Sequence, residues 1–87
     1  MSNKRKYYIW DDLRKEFVGD FMGCIRSSSN KSEVEKFLLE HQQYELSLSE
    51  EEQQYWIENK MSWKYSYIML LTPEEMFDFQ DKQNKEN

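Results

Sequence analysis

Alanine is absent from this chain of 87 residues, and glycine, proline, cysteine and histidine are nearly so. Each shortage excludes a class of chemistry. Cys24 is the only cysteine, so no intrachain disulfide can form, and a reducing compartment is the simple expectation. The two glycines, Gly19 and Gly23, stand four apart and cannot make a glycine-rich phosphate loop. His41 is the only histidine, and neither a CxxC nor an HExxH spacing occurs, so no metal site and no cofactor is expected. No run approaches the ~18–20 apolar residues of a membrane span. The four apolar residues of Tyr7–Trp10 are also too few for a signal peptide, so the chain reads as cytoplasmic. Alanine, glycine, proline and arginine, absent or scarce here, share GC-rich codons, whereas folding physics gives a helical chain no reason to avoid alanine. An AT-rich gene, of a low-GC bacterium or its phage, is the reading.

What is present is aromatic and acidic. Fourteen Phe, Tyr and Trp residues make up 16% of the chain. Each ring can bury roughly 150–250 Å², and a chain this short buries only about 60–65% of its unfolded surface. The aromatics are therefore the expected core of a single domain. The net charge of −5 is unevenly spread. Lys4, Arg5 and Lys6 form a basic stretch, whereas residues 33–55 hold seven glutamates against Lys36 alone. The division expected is a basic flexible arm over 1–6, a globular domain over 7–80 and a polar disordered tail over 81–87.

Periodicity and capping signals predict the elements. Tyr7–Trp10, bounded by charge, reads as an edge strand. Asp11 or Asp12 offers an N-cap for a first helix, with Leu13, Phe17, Phe21 and Cys24 or Ile25 on one face. Gly19 and Gly23 within that helix either admit a close neighbour or end it early. Residues 26–31 are a loop by composition. Ser32 with Glu35 predicts a capping box and a second helix carrying Val34, Phe37, Leu38, His41 and Tyr44. Ser49 with Glu52 opens a third, through Lys60, with Glu50, Glu51 and Glu52 complementing its dipole. Thr72-Pro73-Glu74-Glu75 is the clearest start of all, with Met76, Phe77 and Phe79 as the apolar side of a last helix. Trp63–Leu71 has period-two alternation and favours a strand. The expected fold is α+β, three to four helices on a two-stranded sheet in the order β-α-α-α-β-α. An all-α bundle is the alternative.

Catalysis has little to build on. His41 and Cys24 fall on apolar stripes, and the paired glutamates read as helix caps. We therefore expect a non-catalytic, acidic protein-binding module. Its expected role is stoichiometric inhibition or modulation of a larger basic protein, which could be one that processes nucleic acid. The expected contact residues are Glu50, Glu51, Glu52, Tyr55, Trp56 and Glu58. A helix cannot bury the consecutive Tyr55, Trp56 and Ile57 on one side, so one or more of them should be partly exposed. The alternative is a single-stranded nucleic-acid binder. It would use Lys4, Arg5, Lys6 and Tyr8 with Lys60, Trp63, Lys64 and Tyr65, rings stacking on bases and cations neutralising phosphates. A homodimer through the edge of Tyr7–Trp10 is a third option.

Overall fold

The computed structural model describes residues 4–19 and 25–86. The element order is β1 (Lys6–Asp11), β2 (Glu16–Phe17), β3 (Ser27–Ser28), α1 (Lys31–Leu46), α2 (Glu50–Glu58), β4 (Ser66–Leu71) and α3 (Pro73–Glu86). The class is α+β as expected, which excludes the all-α bundle. The sheet, however, has four antiparallel strands rather than two.

β1 is its centre and not its edge. On one side β4 pairs along its whole length, from Lys6↔Leu71 to Asp11↔Ser66. On the other side lie β2, with Trp10↔Phe17, and β3, with Tyr7↔Ser28. β2 and β3 pair with the same side of β1. Val18 N–H donates to the Ile9 carbonyl, Gly19 and Ile25 form an isolated antiparallel bridge, and Ser27 lies opposite Tyr8. The option of dimerising through Tyr7–Trp10 is thereby closed, because both of its backbone edges are paired.

The first predicted helix does not form. Asp11 Oδ1 instead accepts the N–H groups of Leu13 (3.0 Å) and Arg14 (3.1 Å), closing an Asx turn. Lys15 takes a left-handed φ of 59°, and the chain reverses into β2. An Asp before a short apolar run serves a helix cap and an Asx turn equally, and here the strand register of Phe17 wins. Phe21, Gly23 and Cys24 lie outside the described residues.

Alternation along β1 explains why its sequence reads as a continuous apolar run. Successive side chains point to opposite faces, and both faces are covered. Tyr8 and Trp10 pack with Phe17, Met69, Leu71, Met76 and Phe79 beneath α3. Tyr7 and Ile9 face the other way, onto Val34, Phe37 and Leu38 of α1 with Val18, Trp63 and Ile68. The molecule is thus three layers, α3 on the sheet on α1. The alaninless core is built from ring edges: Trp10 meets Phe17 at 4.9 Å and Phe79 at 4.7 Å between centroids, both edge-to-face.

Helix boundaries follow the caps. Asn30, not Ser32, caps α1, its Oδ1 accepting both the N–H (3.0 Å) and the hydroxyl (2.8 Å) of Ser32. Thr72 and Glu75 form the expected reciprocal box, Thr72 N–H to Glu75 Oε1 at 2.9 Å and Glu75 N–H to Thr72 Oγ1 at 3.2 Å. α3 continues through 81–86, residues expected as a polar tail. Gln80 is the anchor: its amide donates to the Lys15 carbonyl (3.1 Å) and accepts from Phe17 N–H (3.4 Å). The Lys85–Asp81 pair at 3.2 Å supports the next turn. At the other end, Lys6 is already in β1 and Arg5 pairs with Glu75, so this part of the expected arm lies against the domain.

Candidate protein-binding surface

α2 is the least enclosed element. It starts where Ser49 Oγ accepts Glu52 N–H at 3.2 Å, with three glutamates in the first turn at the positive end of the dipole. It ends two residues earlier than expected, in a Schellman motif. Lys60 N–H bonds the Ile57 carbonyl (3.1 Å) and Met61 N–H the Trp56 carbonyl (2.7 Å). Lys60 itself takes the left-handed φ of 57° that glycine usually supplies, which is why composition gave no stop signal there.

No residue of α2 is buried. Gln53, Trp56 and Ile57 are half-buried and form its inner side. Trp56 stands 6.0 Å from the Tyr44 ring, and Gln53 Nε2 donates to the Leu48 carbonyl at 2.9 Å. The outer side holds Glu51, Tyr55 and Glu58 at i, i+4 and i+7. Tyr55 is 58% exposed, with Glu51 and Glu52 one turn before it and Glu58 one turn after. Among the described residues no Lys or Arg forms an ion pair with Glu50, Glu51, Glu52 or Glu58. Of the six residues expected here, five share an exposed acidic surface and Trp56 turns inward. Tyr44 and Leu46, 61% and 62% exposed at the end of α1, lie next to it in the chain and were not anticipated.

The alternative nucleic-acid set is not brought together. Tyr8 is buried under α3, and the Trp63 ring is engaged by His41 (4.4 Å) and Phe37 (5.8 Å). Lys6 lies opposite Leu71 and Tyr65 opposite Asp12, at the two ends of the β1–β4 ladder. Six strand residues at ~3.3 Å each put about 20 Å between the two basic groups. Lys4, Lys60, Lys64 and Tyr65 are exposed, and Arg5 is paired with Glu75.

His41 is a packing residue, its Nδ1 2.8 Å from the Phe37 carbonyl and its ring between those of Phe37 and Trp63. Among the described residues no three His, Cys, Asp or Glu side chains are placed to hold a metal ion. No helix among them is long and apolar enough to cross a membrane.

A cleft of about 270 Å³ opens beside the β1–β2 turn, where Asp11, Arg14 and Glu16 face Lys60, Met61 and Trp63. Burial pushes the Asp11 carboxyl above its ordinary value of 3.8, partly offset by the N–H groups of Arg14 and Leu13. A raised acid binds its proton more tightly folded than unfolded, so Asp11 favours folding below its unfolded value. That contribution is lost as pH rises through the folded value. Asp11→Asn keeps the Oδ1 acceptor and removes the buried charge. Its urea midpoint should gain on the native protein between pH 3 and pH 7, and a pH-independent difference would sink this account.

No protein-family model, curated protein or solved structure matches the chain.

Proposed function

We propose that the chain is a non-catalytic binding module that docks the acidic outer side of α2 on a basic surface of a larger protein, inhibiting or modulating it. The observation that carries this is Tyr55, an exposed ring among unpaired glutamates on a helix that buries none of its own residues. A Tyr at the centre of such a patch is the type of side chain that anchors interfaces, and it can lie over an Arg or Lys of the partner. The surrounding carboxylates raise the association rate with a positive surface and disfavour acidic competitors.

The test is a pull-down with the tagged chain from a bacterial lysate, followed by titration of the captured protein. Tyr55→Ala with Glu51→Lys should weaken binding about 30-fold or more, the size of an interface hot spot. Circular dichroism should still show the folded chain, since neither side chain supports the core. Unaltered affinity would refute the reading. A nuclease-sensitive eluate lost when Lys4, Arg5 and Lys6 are replaced would favour the nucleic-acid alternative.

A further inference from the structure

With β1 internal, β4 is the long outer edge of the sheet, the opposite edge being the two-residue strands β2 and β3. Among the described residues no strand pairs with its outer side. The bond from Asp12 N–H to the Tyr65 carbonyl (3.3 Å) fixes the phase of the ladder. Tyr67, Met69 and Leu71 therefore bond β1, and the backbone groups of Ile68 and Leu70 point outward. The devices that usually blunt an edge are missing. From Tyr65 to Thr72 there is no charge, proline or glycine, and Tyr67 and Leu70 are 46% and 45% exposed.

The charges flanking the strand select an occupant. Lys64 precedes β4 and Glu74 follows it, both exposed and neither in an ion pair among the described residues. Antiparallel pairing of two copies lays the start of one strand by the end of the other. Lys64 of one copy then comes within two residues of Glu74 of the other at both ends, whereas parallel pairing sets like charges side by side. A register centred on Ile68 also matches outward-pointing residues with one another: Ile68 faces Ile68 of the second copy, and Leu70 faces Ser66, whose N–H already donates to the Trp63 carbonyl at 3.2 Å. On the other face Tyr67 covers Met69.

We infer that this edge binds a second copy of the chain, making a two-fold dimer with one sheet continuous across both β4 strands. The inference is independent of the α2 surface, which remains outside this contact.

Sedimentation velocity of the full chain from 1 to 200 μM tests it. The expected result is a species of twice 10.8 kDa at the upper concentrations. Leu70→Lys sets a charge on the edge without touching a ladder bond, and should weaken the dimer about 10-fold or more. Lys64→Glu and Glu74→Lys should each weaken it, and the two together should restore it. A monomer throughout, or a dimer indifferent to all three substitutions, overturns the inference. Partner binding by α2 should survive Leu70→Lys, so this result and that of the Tyr55 experiment can be told apart.

Discussion

Trp10→Ala should remove a large share of the chain's stability. Trp10, the fifth of six residues in the central strand, is fully buried, its ring meeting Phe17 and Phe79 edge-to-face. Its indole N–H also donates to Asp12 Oδ1 at 3.1 Å, one of the two bonds, with that from Lys15, that hold the Asp12 carboxyl below its usual range. Removing a core Trp costs about 3–5 kcal/mol, against a total stability of roughly 4–13 kcal/mol for a chain this size. The melting temperature should fall by on the order of 20 °C. Trp10→Phe keeps an aromatic edge in the α3 layer and loses the indole bond, so a loss of about 1–2 kcal/mol is expected. Far-UV circular dichroism melts of the two variants decide this. If Trp10→Ala melted cooperatively within about 5 °C of the native protein, the α3 layer would not be where stability resides.

Glu45→Ala should cost about 2–4 kcal/mol, from a residue whose neighbours in the acidic segment tolerate replacement. Glu45 is completely buried, and both oxygens are in use. Ser62 Oγ donates to one and Trp63 N–H to the other, each at 2.6 Å. Three residues earlier on the same face, Gln42 donates to the Trp63 carbonyl at 2.9 Å. α1 thus holds Trp63 by both of its backbone polar groups, and with it the approach to β4. An amide has one acceptor oxygen for two donors, so Glu45→Gln should lie between native and Ala. Urea titrations followed by Trp fluorescence would give the order. A Gln variant as stable as the native protein would mean that the second acceptor is dispensable.

These two residues also mark how far the sequence could be read. Trp10 was legible as core because nothing else in the chain could supply one, and the Thr72 and Ser49 caps were legible because their chemistry is local. Glu45 was not. It looks like one of seven glutamates in a solvated belt, yet it stands on the buried stripe seven residues after Leu38 and eleven after Val34. Only the distant Ser62 and Trp63 reveal its task. The hairpin at Asp11–Glu16 failed for the converse reason, since its local signals suit a helix and only pairing with β1 decides against one. On α2 the sequence identified the acidic residues and an exposed ring, and left open which of three consecutive apolar residues it would be. Packing against Tyr44 turns Trp56 inward and leaves Tyr55 outside.

The pairing of β1 with β4 also has a consequence in time. Residues 6–11 are synthesised early, but their full-length partner is residues 66–71, and the helix that covers Trp10 follows later still. At roughly 5–20 residues per second, a nascent chain carries Tyr7–Trp10 without β4 for about 3–12 s. Hairpin closure with β2 and docking of α1 can begin in that interval, but the α3 layer cannot. Contacts so distant in sequence are also slow to form in any case, because the loop between them must close first. This domain therefore completes its fold only once its last strand and helix have been made, and the central strand waits longest for its partners.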